Sequence, residues 1–440
     1  MVLRLAFFPF HQFAQDHVAT PDSGIYLELG RNLAERGMFG RTAATAAASV
    51  ENPVTFEVFR TPGYPLVIAL LGSLTRDVVP ALICLGVLLD VATVVLVYLI
   101  ARTLMEPVWS FIAASLVAVD VGHVVYANMI MSDVLFASLV TVATWLLLST
   151  QTLNWRNTIG SALAFTAAAA VRPVGTLMFA PAAMLLVARR LGPRRVAAFV
   201  LVSSIFPGVW ILRNGIGVGV WSTSNAMDYN LCLVTAAKVK ATVDGLSFRE
   251  ASQRVVQEAV RQSPGSDVEN RSVAFRRVGW AVLRSHPFAT GREALLSAME
   301  FALAGERRNL LRLIGRPGDE RTTGSIGETA RGSATIAGAF AIRSTSEIVL
   351  VVAQAAWDCG VWLAAIVGGF GLARRGRWPE LLLLAGMIAY VAGASLVVAN
   401  GRMRIPVTGA VAVLAAEGLR LIARAWRSAR DRDIAPGGLV

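Results

Sequence analysis

Apolar positions along this chain gather in long unbroken runs and do not alternate with polar ones. Runs of about 17 to 25 residues are what a helix needs to cross a hydrocarbon core, whereas a membrane barrel would need regular alternation. The pattern predicts spans near 79–101, 108–122, 131–149, 158–171, 174–188, 196–212, 348–372, 380–399 and 405–422. The opening VLRLAFFPF covers about ten residues and contains Pro9, too short to cross alone. It reads as the end of a first span that starts upstream of Met1, which would put both chain ends of a ten-helix protein on one side; a poor signal peptide is the other reading.

Polar residues between the runs give the orientation. Arg189, Arg190, Arg194 and Arg195, then Arg374, Arg375 and Arg377, and finally Arg420, Arg424, Arg427, Arg430 and Arg432 crowd one set of loops. By the positive-inside rule that set is cytoplasmic. The other set, expected outside, comprises residues 14–78, the turns HVVYANMIMS and VRPVG, the segment 213–346 and NGRMR. The expected organisation is therefore an N-terminal membrane module (1–212) with a first outer loop (14–78), an outer helical region (213–346), C-terminal membrane helices (347–425) and a cytoplasmic tail (426–440). In the outer region FREASQRVVQEAVRQS reads as an amphipathic helix with Phe248, Val255, Val256, Ala259 and Val260 on one side. AFRRVGWAVLRSHPFATGREALLSAMEFAL reads as one or two more, broken before Pro287. TAATAAAS at 42–49 reads as a flexible part of the first outer loop.

Composition agrees with a membrane protein: 16% of residues are charged, and the mean hydropathy is +0.58. The net charge of +12 is almost wholly arginine, since Lys238 and Lys240 are the only lysines. Those arginines sit in short loops without interleaved aromatics, which fits membrane orientation and not nucleic-acid binding. Cys84 and Cys359 lie in apolar runs and Cys232 stands alone, so no disulfide framework or cysteine metal site is implied. Four scattered histidines without HExxH give no zinc site.

Candidate chemistry collects at the outer ends of the spans. Asp22, in TPDSGIYLELGRNLAERGMFG, opens a segment with Ile25, Leu29 and Leu33 at helical spacing. Asp22 or Ser23 would serve as a helix cap; the carboxylate would equally serve as a general base at the membrane surface. FRTPGYPLVIALL carries Arg60 and Tyr64 into an apolar helix whose first turn tolerates Pro65. In MSDVLF, Ser132 and Asp133 would cap the next helix, or Asp133 would act at the bundle mouth. Arg172, Arg213, Arg402 and Arg404 all fall at outer span ends, against the orientation bias. Each alone is explained by snorkelling to headgroups; four at one level suit a phosphate, for which guanidinium is a forked donor. GIGVGV lacks the GxGxxG order and reads as a loop. Two carboxylates are too few to argue a divalent ion, so the cofactor stays unknown.

In order, PDSGIYLELGRNLAERGMF, FRTPGYPLVIALL, MSDVLFASLV, VRPVG, IFPGVWILRNGIGVGVWSTSN and NGRMRIPV resemble the motifs of the polytopic GT-C glycosyltransferases. The likeness is to the bacterial branch related to protein mannosyltransferases and aminoarabinose transferases. It implies an all-α membrane bundle of about 9–10 spans with an outer-face soluble region. It also implies transfer of a sugar from a polyprenyl-phosphate donor to a glycan, lipid or protein acceptor on the outer face of a bacterial cytoplasmic membrane. On it, Asp22 matches the catalytic aspartate, Arg402 and Arg404 match carrier-phosphate contacts, and Arg172 and Arg213 are weaker matches. Relatives often carry a glutamate or an acidic pair where this chain has Asp133. Two rival classes remain: a transporter or lipid flippase, for which Asp90 and Asp120 are the charged candidates near mid-bilayer, and a non-catalytic member of a wall-assembly complex.

Overall fold

The structure is a computed structural model that describes residues 1–42, 54–149, 153–263, 267–316, 345–398 and 400–434. Short helical turns α1 (Val2–Leu5), α2 (Phe8–His11) and α3 (Gln15–Val18) precede α4 (Pro21–Arg36). A two-stranded antiparallel ribbon follows, β1 (Gly40–Thr42) against β2 (Val54–Phe56), in the register Gly40↔Phe56. The first half of the bundle then runs through α5 (Gly63–Leu74), α6 (Val78–Arg102), α7 (Pro107–Ala118), α8 (Val121–Ala127), α9 (Asp133–Leu148), α10 (Trp155–Val171), α11 (Ala180–Ala188), α12 (Pro193–Ser203) and α13 (Ile205–Val218). The segment expected outside contributes α14 (Ala226–Asn230), α15 (Ala237–Asp244), α16 (Phe248–Gln262), α17 (Val268–Ser285), α18 (Pro287–Leu303) and α19 (Arg307–Leu313). The chain closes with α20 (Thr345–Arg374), α21 (Trp378–Ser395), a 3-10 turn at Gly401–Val407 and α22 (Thr408–Ile434).

Among the described residues four helices are long and apolar enough to cross a membrane: Val78–Arg102, Val351–Arg374, Trp378–Ser395 and Gly401–Asp431. The pairs α7–α8 and α12–α13 count as two more if each, bent by 56° and 42°, is taken as one span. The runs expected as spans near 131–149 and 174–188 form the shorter apolar helices Asp133–Leu148 and Pro173–Ala188, and the run near 158–171 lies within the 17 residues of α10. α9, at 16 residues, rises about 24 Å against a hydrocarbon core of about 30 Å. Its tail is tied at the Leu147 carbonyl to Arg189 at 3.1 Å, and its head, Asp133, is buried at the other end.

The arginine-rich loops meet at that opposite end. Arg189 pairs with Glu380 at 2.9 Å, Arg375 with Glu417 at 2.7 Å, and Arg420 with Glu417 at 2.6 Å. Between the two ends α9 is the buried axis, with Phe136, Ala143 and Leu147 at 0% exposure. α20 and α22 cross so closely that a Cβ on Gly368 would lie 1.8 Å from the Leu414 carbonyl, and one on Gly418 1.9 Å from that of Ala364. Only glycine allows that approach.

Several local expectations shift. The buried face of α4 runs through Ser23, Tyr26, Leu29, Gly30 and Asn32, so Leu29 alone of the expected stripe is fully buried. GIGVGV is helical through Val218 and ends at Gly219 with φ +73°, an αL stop and not a loop. α16 buries Ala251, Val255 and Ala259, leaving Phe248 and Val260 exposed. From residue 43 on, TAATAAAS lies outside the described residues, as does the tail from 435. Helices α14–α17 and the turn between α14 and α15 close a small core of their own around Leu231, Cys232, Val239, Val255, Phe275 and Val278, tied to the end of α21 by Thr235 donating to the Val397 carbonyl at 2.8 Å.

The helix crossing makes a test. Gly418→Ala should lower the thermal midpoint of the detergent-solubilised protein, at a cost of about 1–3 kcal/mol for overpacking. Gly393→Ala, with nothing within 4 Å of the added Cβ, should leave the midpoint equal or raise it.

Candidate functional site

The helix start at α4 is built by Thr20 and Ser23. The Thr20 amide donates to Ser23 Oγ at 2.8 Å, and Ser23 Oγ donates to the Ile130 carbonyl at 2.7 Å. Asp22 is thereby freed from capping, and its carboxylate turns to cations from elsewhere in the chain. Arg60 Nη2 donates to Asp22 Oδ1 at 2.5 Å, and Arg402 Nη1 donates to Asp22 Oδ2 at 3.1 Å. Arg60 arrives on the loop before α5, where the Glu57 carboxylate accepts from the Phe59 and Arg60 amides at 2.6 and 2.9 Å. Its guanidinium lies 5.2 Å from the centre of the Tyr26 ring.

Asp133 repeats the arrangement one layer deeper. Ser132 is the N-cap residue of α9, but its hydroxyl lies 3.1 Å from Tyr26 Oη and caps nothing. Asp133 itself accepts from Arg402 Nε at 2.9 and 3.0 Å and from Arg172 Nη1. Arg402 thus bridges the two aspartates, whose exposures differ widely: 39% for the Asp22 side chain and 1% for Asp133. Tyr64 is buried behind them, its ring edge-on to Tyr26 at 5.1 Å.

Two predicted arginines lie elsewhere. Arg404 points back into the bundle, donating to the Ala302 carbonyl at 2.8 Å and to Asp358 at 3.3 Å. Arg213 donates to the carbonyls of Glu57 at 2.6 Å and Phe39 at 3.3 Å, and lies 3.5 Å from the centre of the Phe56 ring. It fastens the β-ribbon to α13 and does not reach the aspartates. Sequence reasoning missed a second set: Tyr126 Oη donates to Glu306 Oε2 at 2.9 Å and accepts from Asn309 at 2.9 Å, with the Tyr126 ring 5.9 Å from the Arg402 guanidinium. The signal for Glu306 was slight, a single acid in AGERRN at the end of an apolar stretch.

Charge decides what such a mouth attracts. Asp22, Asp133, Arg60, Arg172 and Arg402 sum to +1, three cations less two anions. Among the described residues no three His, Cys, Asp or Glu side chains group to hold a metal ion. The mouth favours an anion. Burial opposes the charge on Asp22, but Arg402 and Arg60 outweigh it and hold the carboxyl below its ordinary 3.8. Burial pushes the Glu306 carboxyl up, against the hydrogen bonds from Tyr126 and Asn309.

Because the folded value of Asp22 is depressed, folding favours its ionised form above the unfolded value, and that contribution is lost as pH falls through the folded value. The infrared difference between wild type and Asp22→Asn at about pH 3.5, just below the ordinary value, should therefore still be dominated by a carboxylate band. A protonated carboxyl band there would contradict the ion pairing.

Residues 59–209 match the family described as dolichyl-phosphate-mannose-protein mannosyltransferase, a stretch that holds Arg60, Asp133 and Arg172 but neither Asp22 nor Arg402. Among solved structures, ArnT from Cupriavidus metallidurans bound to undecaprenyl phosphate aligns with a TM-score of 0.39 and 17% identity, over 96% of this chain and 77% of that one. The oligosaccharyltransferase AglB from Archaeoglobus fulgidus, in complex with an inhibitory peptide and a dolichol-phosphate, aligns with a TM-score of 0.50 and 12% identity, over 100% of this chain and 51% of that one. A search of curated proteins finds no match. The chain shares the all-helical GT-C fold of AglB, and residues 59–209 resemble the mannosyltransferase family.

Proposed function

We propose that this chain moves a sugar from a polyprenyl-phosphate carrier to an acceptor on a glycan, lipid or protein at the outer face of a bacterial cytoplasmic membrane. The observation that carries the reading is the bridge from Asp22 through Arg402 to Asp133, flanked by Arg60 and Arg172. Its two carboxylates have unequal access, and this suggests unequal roles. Asp22, the more exposed, would receive a proton from an incoming acceptor hydroxyl, and Asp133, closed from solvent, would hold Arg402 and Arg172 in position.

In the proposed step the acceptor oxygen attacks the anomeric carbon as the bond from that carbon to the carrier phosphate oxygen breaks. The electron pair leaves with the phosphate, turning a diester into a monoester with more negative charge. The acceptor proton passes to Asp22. Arg402, and Arg60 beside it, would stabilise the charge that develops on the departing phosphate. A carboxylate held by two guanidiniums is a weak base, and a phosphate drawing those guanidiniums toward itself would return basicity to Asp22 when the donor is bound. The acidic end of the arrangement needs no nucleotide fold, since the activated sugar arrives in the membrane on its carrier.

The test is transfer by the purified protein from a panel of radiolabelled polyprenyl-phosphate sugars. Asp22→Asn should reduce kcat by about 10²- to 10⁴-fold, and equal transfer by both proteins would remove Asp22 as the base. Arg402→Lys, which keeps a charge but loses the fork, should raise the KM for the carrier about tenfold or more, about 1.4 kcal/mol. Arg213→Gln should lower the thermal midpoint without moving that KM.

A further inference from the structure

α18 is turned inside out relative to a helix on a water-soluble surface. Its protein-facing side carries Glu293, Ser297 and Glu300, all buried, together with Phe301. Thr242 donates to Glu293 at 3.0 Å, and Lys238 lies 3.6 Å from Glu300. Its outward side carries Phe288 at 93% exposure, Leu295 at 65% and Met299 at 43%, positions that fall on one face at helical spacing. α16 in the same outer region has the opposite polarity, with Arg254, Gln257, Glu258 and Arg261 outward. A helix that pairs its acids inward and shows its largest apolar side chains outward matches a lipid solvent, not an aqueous one.

Two further observations identify the occupant of that face. The far end of α18 is seated on a membrane helix: Trp362 of α20 donates to the Ala302 carbonyl at 3.1 Å, and its ring lies 6.2 Å from that of Phe301. α20, the membrane helix it is seated on, also exposes large apolar side chains, Trp357, Leu363 and Ile366 at 50%, 64% and 55%. At its start Phe288 is flanked in sequence by two exposed arginines, Arg284 over the Trp280 ring and Arg292, whose Nη1 is on Glu293 at 3.1 Å and whose side chain is still 48% exposed, cations of the kind that meet lipid phosphates at the interface.

We propose that α18 is embedded in the membrane surface, with Phe288, Leu295 and Met299 in the acyl region and Arg284 and Arg292 at headgroup phosphates. The outer region is thus held to the bilayer along its own helix as well as through its chain connections. α18 ends at Ala304, whose carbonyl a Cβ on Gly401 would meet at 2.2 Å, so the embedded helix abuts the turn that carries Arg402. The proposal does not depend on the transfer reaction and can stand or fall separately from it.

The experiment places nitroxide labels singly at Leu295→Cys, Met299→Cys, Glu258→Cys and Arg261→Cys in the full chain, with Cys84 and Cys359 replaced by alanine. The protein is reconstituted in nanodiscs of phosphatidylcholine and phosphatidylglycerol. Collision with oxygen should exceed collision with a water-soluble nickel chelate at 295 and 299, and the order should invert at 258 and 261 on α16. Labels at 295 and 299 that favour nickel as those on α16 do would overturn the proposal. Labels there shielded from both reagents, with dipolar broadening between molecules, would overturn it too and assign the face to a second copy of the chain.

Discussion

Asp133 sits at the head of α9, closed from solvent, and an ionised carboxylate there requires cations directly against it. Arg172 and Arg402 are the two that reach it. An unpaired buried charge is costly enough that the end of α10, the head of α9 and the turn before α22 are held to one another by this single neutralisation. Arg402 still has a free arm of its fork once Nε is on Asp133, and that arm reaches Asp22. The more exposed aspartate is thus positioned by the buried one, through a guanidinium whose planar fork is suited to bridging two carboxylates.

The turn carrying Arg402 is itself over-determined. Its neighbour Arg404 locks to Asp358 on α20 and to the end of α18, while Tyr126, held by Glu306 and Asn309, lies against the Arg402 guanidinium. Elements from both halves of the membrane bundle and from the helices between them in sequence therefore converge on one side chain. A mouth assembled from so many separate segments is rigid only when all of them are docked, so this site is a product of the whole fold and not of any local motif.

The fold class and the five charged residues at the mouth were legible because each rests on position along the chain. Long apolar runs give spans, and arginine bias sorts their ends; this puts Asp22, Arg60, Asp133, Arg172 and Arg402 at one end. Direction of pointing is another matter. Arg402 and Arg404 share that end, but in a 3-10 turn of three residues per revolution two residues apart point to different sides, so one faces the aspartates and the other the bundle. Arg213 likewise sits at the expected level, yet the β-ribbon, whose three-residue strands are too short to leave a pattern, takes up its guanidinium. Tyr126 and Glu306 were hidden for a related reason, since they come together across 180 residues of chain. α18 was readable as amphipathic, but not which of its faces met the protein.

The same reasoning bears on the transport reading, which drew its support from charged residues near mid-bilayer. Asp90 lies halfway along α6 with 0% exposure, its two oxygens taken by Arg4 Nε at 2.6 Å and His123 Nδ1 at 2.5 Å. Arg4 also donates to the carbonyls of Val117 and Ala118, closing the break between α7 and α8. Asp120 accepts the His123 amide at 2.9 Å as the cap of α8. Both acids are therefore engaged in holding a bent segment and the first helical turn in place. A translocation pathway needs ionisable groups that exchange partners as cargo passes, whereas a carboxylate enclosed by two basic partners at full burial would have to give up both to do so. The charged interior of this bundle is explained by anchoring α8, the helix that carries Tyr126 to the face of Arg402, and it serves the mouth without itself forming a path.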